Sequence, residues 1–543
     1  MERIKFLLLF LVITLAELLA AGNQRAILFY KVGLPESARN MLQKNLQSSA
    51  ENKAEVCFYL GKIALASQQP DSAAYYFSKG KEYDSEYVFN TIGEGQLLLP
   101  KDKGGARSVF DKALSGKHKK DPLIHLAIAR AYLECNQPDY RSIVEELKQD
   151  YDKVAAVYVF EGDALLFEKK YGEALTQYEQ AIYFEPGCEE AYVKYAQAYR
   201  EMNPGLALEM LRKLLAVNPA SEIAYREMGE VAFAGGDFAE AARNYDKYFS
   251  FDVLPSAQEV GRYATILFYG NQYDKALQYI ERGLASEPNN LVLNRIKMYI
   301  FATGTCTDEQ LAHAAGFMEK FPAGEYISLD YLFYGNLLKN GKRYEEASRQ
   351  FRKVIELDPE RGEAYRNLAD VYELMNQYPE AIAAYRGLFE KNKSAVELSD
   401  YLTLGKEYYF AADALKGTAD SLDRTAFLVT ADSLFAVVAD KSPSNCLGYF
   451  WRARALSMID YDTTRGLAKP YYEKTLSILE PEGKDKKKII ECYNYLGFYY
   501  YVASDFPNSL TYWNKTIAID PENEVAKRAI EGIGGEMKTP ARK

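Results

Sequence analysis

The stretch YEEASRQFRKVIELDP, Tyr344 to Pro359, decides the fold. Its apolar residues fall at helical spacing. The closing proline cannot continue a helix and biases its predecessor toward extended geometry. One such segment predicts one amphipathic helix. This chain writes it repeatedly: YGEALTQYEQAIYFEP runs from Tyr171 to Pro186, and YDKALQYIERGLASEP from Tyr273 to Pro288. In each, an alanine (Ala347, Ala174, Ala276) follows the leading aromatic by three residues, and Phe238/Ala241 and Tyr378/Ala381 repeat the relation. Tyr171 and Tyr273 lie three periods of 34 residues apart, and Tyr344 and Tyr378 one period. A period of that length implies units that cannot bury their apolar faces singly and must stack.

The half preceding each such segment is patterned as well. In YLFYGNLLKNGKRYEEASRQFRKVIELDP, Tyr331, Tyr334, Gly335 and Leu338 precede Ala347, Phe351, Val354 and Pro359. This arrangement resembles the tetratricopeptide repeat (TPR). Gly335, or alanine in its place at Ala196, Ala264 and Ala369, lets the first helix of a unit (helix A) lie close to the second (helix B). Units of this kind are expected at 19–52, 54–86, 87–120, 122–153, 155–188, 189–221, 222–256, 257–290, 291–327, 328–361, 362–396, 398–445, 446–485 and 490–523. The resemblance implies an all-α solenoid of stacked antiparallel helix pairs. It further implies a right-handed superhelix whose A helices line the concave face. Extra residues near 411–430 predict lengthened helices in unit 398–445, in the C-terminal third, and unit 446–485 carries a shorter insertion near 459–470. NEVAKRAIEGI reads as an amphipathic capping helix. The expected organisation is a leader over 1–22, an N-terminal array over 23–327, a C-terminal array with its cap over 328–533, and a flexible tail over 534–543. The segment KSPSNCLGYFWRARALSMIDYDTTRGLAKPYYEKTLSILEPE is similar to the C-terminal half of uncharacterised secreted TPR proteins of Bacteroidetes-type bacteria.

Composition narrows the function. With 48% hydrophobic and 26% charged residues, the chain of 543 residues is neither a disordered polymer nor a membrane bundle. A net charge of −10 argues against binding a nucleic-acid backbone. Arg3 and Lys5, the apolar run FLLLFLVITLA and the small residues Ala20, Ala21 and Gly22 have the layout of a signal peptide cleaved before Asn23. The run is short for a bilayer span and is followed by Glu17, so no membrane span is expected after cleavage. Export to a periplasm or envelope is the expectation, with a cytoplasmic scaffold as the alternative. Six scattered cysteines form no C-x-x-C pair and read as small, packed thiols.

Catalytic spacing is absent from the sequence. The three histidines, His118, His125 and His313, make no metal motif, and no phosphate-cradling or nucleophile-elbow motif occurs. The expectation is a non-enzymatic scaffold without cofactors that binds protein or peptide partners. The TPR register places candidate contacts on the A helices: Arg226, Phe268, Tyr269, Asn336, Lys339, Arg366, Lys406, Phe410, Arg454, Phe498 and Tyr501. Aromatic, basic and amide side chains together suit a groove in which rings supply buried area and charges set register. The chaperone-type carboxylate clamp is not reproduced, because Glu230 follows Arg226 where asparagine is required and Leu332 precedes Asn336 where lysine is. The 45 tyrosines motivate a second reading, a glycan or small-ligand binder of the cell envelope, although tyrosine also fills ordinary repeat positions.

Overall fold

A computed structural model describes residues 23–47, 52–251, 253–417, 421–483 and 485–536. The expected leader and residues 537–543 of the expected tail lie outside them. The described residues form 29 α-helices, α1 to α29 in chain order, and no strand. Fourteen consecutive pairs, one for each unit expected from the sequence, precede a single terminal helix. The described fold is all-α, its helices paired and stacked as expected of a TPR solenoid.

The division into helices has local causes. Each B helix of the opening pattern stops at a residue held extended before a proline. Asp358, Glu185, Glu287, Asn218 and Asp520 adopt φ between −142° and −128° with ψ between 77° and 89°. That is the geometry proline imposes on its predecessor. In eight of the units the turn from A to B is made with one left-handed residue: Gln68, Asn136, Lys169, Gly236, Asn271, Lys342, Asn376 or Ser504. Starts are fixed by side-chain caps such as Ser221 onto Ala224 N, and by the capping box of Ser256 with Glu259.

Contacts divide the chain into two compact units, up to Lys297 and from Met298. The division falls inside α17 (Leu291–Phe301). Tyr299, near the end of α17, stacks on Phe333 at 4.0 Å and donates a 2.8 Å hydrogen bond to Asp330. Those two residues belong to α19 (Ser328–Asn340), the next A helix.

The first unit holds the A helices α1 (23–31), α3 (Lys53–Ala66), α5 (Phe89–Leu98), α7 (Pro122–Glu134), α9 (Ala155–Phe167), α11 (Glu189–Tyr199), α13 (Glu222–Ala234) and α15 (Ala257–Tyr269). Their B partners include α2 (Pro35–Gln47), α10 (Tyr171–Phe184) and α14 (Phe238–Phe249). The second unit holds the A helices α19, α21 (Gly362–Leu374), α23 (Leu398–Ala414), α25 (Cys446–Ile459) and α27 (Lys486–Val502). Its B helices include α20 (Tyr344–Leu357), α24 (Ser421–Lys441) and α28 (Phe506–Ile519). The extra residues of unit 398–445 lengthen both of its helices, to 17 and 21 residues. Helix α29 (Glu524–Glu536) packs Ala526 and Ile533 against Trp513 of α28, the arrangement expected of a cap.

One contact recurs within the pairs. The small residue of helix A lies against the aromatic at the middle of helix B. A Cβ placed on Gly335 would sit 2.6 Å from the Phe351 ring, and Gly162, Gly229, Gly405 and Gly497 meet Tyr178, Tyr245, Phe435 and Trp513 in the same way. A methyl group at these positions has no room, so the ring and the glycine are one packing device. Where the ring is a tyrosine, its hydroxyl reaches the carboxylate that follows the glycine. Tyr178 donates to Asp163 at 2.9 Å, and Tyr245 donates to Glu230. These tyrosines therefore satisfy acids packed inside the helix pair.

Candidate functional site: the A-helix faces

Charged A-helix residues pair with the A helix of the following repeat. In the second unit, Arg366 of α21 grips Asp400 of α23 through two 2.8 Å hydrogen bonds and donates a third, of 2.6 Å, to the Ala395 carbonyl. Asp400 is almost fully buried and also accepts from Glu397 N at 2.8 Å. Arg454 of α25 makes two 2.7 Å bonds to Glu491 of α27. Lys339 of α19 donates to Asn367 of α21 at 2.9 Å and lies 3.5 Å from Asp370. In the first unit, Lys62 joins Gln96 and Glu134, and Arg130 joins Asp163 at 2.9 Å. Arg226 lies against Glu227 and is 3.4 Å from Glu259. These pairs fix the register of neighbouring repeats by charge-assisted, often two-pronged bonds.

The structure thus gives the expected contact residues different surroundings. Arg226, Lys339, Arg366 and Arg454 are held in these inter-repeat pairs. Lys406, Phe410 and Arg454 converge on one ring, that of Trp451. The Lys406 ammonium lies 5.2 Å and the Arg454 guanidinium 4.9 Å from its centroid, within cation–π range. Phe410 meets the same ring edge-on at 6.1 Å and stacks on Tyr378. Phe268 is buried, and Tyr269 at the end of α15 is half-open to solvent and stacked on Phe238 at 5.1 Å. Asn336 is half-buried on α19. Phe498 on α27 is 43% exposed, and Tyr501 packs against Phe506.

An acidic site accompanies this face. Glu407 of α23 is 1% exposed, lies beside Asp370 and is hydrogen-bonded to Glu373 of α21. Burial, then the Glu373 charge, pushes its carboxyl up to about 8, while Lys406 pulls weakly the other way. Below pH 4.5, the carboxyl's ordinary value, folded and unfolded states both hold the proton. Between there and about 8 only the folded state keeps it, so this group makes stability fall as pH rises through that window. Glu407→Gln keeps the shape without the charge. It is expected to remove that dependence and to stabilise the chain by roughly 3 kcal/mol at alkaline pH with little effect near pH 5, as read by urea unfolding at each pH.

The first unit shows what its A-helix face can hold. Helix α1 begins the solenoid, yet its side chains reach A helices far along the chain. Tyr30 meets Tyr59 of α3 edge-on at 5.7 Å. Lys31 lies 3.1 Å from Glu190 of α11, and Gln197 of α11 donates to the Val32 carbonyl at 2.9 Å. Arg25 pairs with Glu222 of α13. At the start of α2, Ser37 bonds Glu259 of α15 and accepts from Ser256 N at 2.9 Å. Ala26, Ile27, Phe29 and Val32 are buried, with Phe29 stacked on Tyr248 of α14 at 6.4 Å. An amphipathic helix therefore lies along the A-helix face, its apolar side packed and its Arg and Lys matched to acids. The sequence gives no sign of this, because α1 and α2 read as an ordinary first unit.

The six thiols are buried or half-buried. Burial pushes Cys57 and Cys188 up to about 11, so neither is a thiolate at neutral pH. Among the described residues, no group of three His, Cys, Asp or Glu is placed to hold a metal ion. No described helix is long and apolar enough to cross a membrane.

With this geometry in hand, the chain can be set beside known proteins. The family model described as tetratricopeptide repeat matches residues 198–249 and 335–395. These repeats are tetratricopeptide repeats. The mitochondrial import receptor subunit TOM70 of Mus musculus is 22% identical over 241 residues, which is 41% of this chain and 39% of that protein. The Rattus norvegicus TOM70 matches to the same extent. The chain thus spans about two fifths of the length of the curated relatives it matches. Among solved structures, the C-terminal part of a TPR repeat-containing protein from Cytophaga hutchinsonii is 26% identical, covering 50% of this chain and 99% of its own, with a TM-score of 0.43. Yeast Tom70 is 12% identical, covering 88% of this chain and 95% of its own, with a TM-score of 0.31.

Proposed function

We propose that this TPR protein is a non-catalytic scaffold, exported to the cell envelope, that holds helical segments of partner proteins along its A-helix faces. The observation that carries the reading is α1. A face that packs one amphipathic helix, with acids answering Arg25 and Lys31 and apolar side chains answering Phe29 and Val32, has the chemistry to pack another. On the second unit, Trp451 with Lys406, Phe410 and Arg454, together with the exposed Phe498, supplies rings and cations of the kind that anchor interfaces. The matched relatives are named as import receptor subunits, which accords with a protein-binding role. The leader-like residues 1–22 support export, and sequencing the N-terminus of the mature protein tests it: a start at Asn23 supports export, a start at Met1 opposes it.

Binding is tested by photo-crosslinking in the producing cell. A photoreactive residue at Phe498, on an A helix, is expected to capture one discrete protein. The same residue at Leu357, equally exposed but on a B helix, is expected to capture none. Equal capture at both positions, or none at Phe498, contradicts the reading.

A further inference from the structure

The first unit contains a cavity of about 760 Å³ that begins where α1 ends. Lys31, Val32 and Gly33 form one wall; α7, α9 and α11 supply others. Gly33 has φ +88°, which ends the helix, and a Cβ there would meet nothing within 4 Å. The volume is in the range of sites that enclose small organic ligands.

Four cations, Lys31, Arg130, Lys194 and Arg200, line the cavity. Lys31 and Lys194 share one carboxylate, Glu190, at 3.1 and 2.9 Å. Lys194 and Arg130 share another, Asp163, at 2.6 and 2.9 Å. These three cations share two acids at ion-pair distance, and Arg130 also feels the Glu134 charge. Arg200, also in the wall, lies 3.6 and 3.9 Å from its nearest carboxylates, Glu230 and Glu227, too far for good hydrogen bonds. The only other acid in the wall is Glu201, exposed to solvent. The field is felt by Glu190: burial pushes its carboxyl up, yet Lys194, Lys31 and Arg130 draw it down to about 2. Four basic side chains thus converge on one cavity in a chain whose net charge is −10. Toward solvent the wall turns apolar. Tyr171 and Met202 are 49% and 57% exposed and border the cavity.

We propose that this cavity binds an organic anion with an apolar body, its charged group directed to Arg200, Lys31 and Lys194 and its body against Tyr171 and Met202. The cavity lies on the same A-helix face, beside α1, but its test reads small-anion binding, and failure of that test leaves the Phe498 crosslinking result to decide the protein-partner reading. Lys31 and Arg200 are the adaptable cations: Lys31 is the most exposed of the four, and Arg200, unlike Arg130, has no carboxylate within hydrogen-bond distance. Lys194 is buried with two acid partners and orients them.

Titration calorimetry on the full chain tests the proposal with N-acetylphenylalanine, phenyl phosphate and the neutral N-acetylphenylalaninamide. Saturable binding of at least one anion is expected, about tenfold or more tighter than the amide. Whether carboxylate or phosphate binds more tightly identifies the anionic group. Arg200→Gln is expected to weaken the anion about fivefold or more, and Met202→Glu, an acid at the mouth, about tenfold or more. Both positions are solvent-accessible, and unchanged circular dichroism and thermal midpoint verify that the variants fold. Absence of saturable binding, equal affinity for acid and amide, or anion affinity unchanged in both variants overturns the proposal.

Discussion

Replacing Phe29 with alanine is expected to destabilise the first unit by about 4 kcal/mol, the cost of removing a buried aromatic and leaving a cavity. Phe29 is fully buried, and so is Tyr248, on which it stacks. Neighbouring Ala26, Ile27 and Val32 are also buried, so little can collapse into the space. Phe29→Leu keeps most of the volume and is expected to cost less than about 1.5 kcal/mol. Because the chain has two units, the loss is best read locally, as exchange protection of α13 amides under native conditions. If Phe29→Ala lowers that protection no more than an exposed-site substitution does, α1 does not hold the first unit together.

The second large effect is at Arg366. Its removal leaves Asp400 buried with a charge and only the Glu397 N–H to answer it. Breaking a buried pair from one side typically costs about 3–5 kcal/mol, and Arg366→Ala is expected to fall near 3 because the cap bond survives. Arg366→Lys is expected to recover little, since an ammonium cannot replace the two-pronged guanidinium. Adding Asp400→Asn to Arg366→Ala removes the orphaned charge, keeps an acceptor for Glu397 N, and is expected to restore more than half of the loss. A double-mutant cycle by urea unfolding measures this. A loss below about 0.5 kcal/mol for Arg366→Ala contradicts the structural role. It follows that reversing the charge at Arg366 or Arg454 disturbs the stack before it disturbs any partner.

The repeats were legible because three local constraints recur together. The small residue typified by Gly335, the aromatic typified by Phe351 and the proline typified by Pro359 each have one steric reason. Their shared period makes every unit predictable, down to the lengthened α23 and α24. The charges on the A helices were less legible. Composition suggested a groove, but Arg366 and Asp400 lie 34 residues apart, Arg130 and Asp163 lie 33, and Lys62 and Gln96 lie 34. A cation and its partner separated by one repeat was the signal available, and it marks stacking contacts between successive A helices. The clustering of Lys406, Phe410 and Arg454 around Trp451 needed coordinates, because register assigns faces and not rings. The placement of α1 was beyond the sequence. Its contacts with Glu190, Glu222 and Tyr248 join residues more than 150 positions apart, and no periodic pattern encodes them.

The proposed function requires that the A-helix face hold a helix, and α1 is where that is most directly measured. Amide hydrogen exchange of the full-length protein follows residues 26–31 against residues 223–232 of α13. Protection of α1 as strong as that of α13 is the result expected of a helix packed along the face. Exchange of α1 as fast as an exposed terminal helix, with α13 still protected, would show the face does not hold it and would remove the observation on which the proposed function stands.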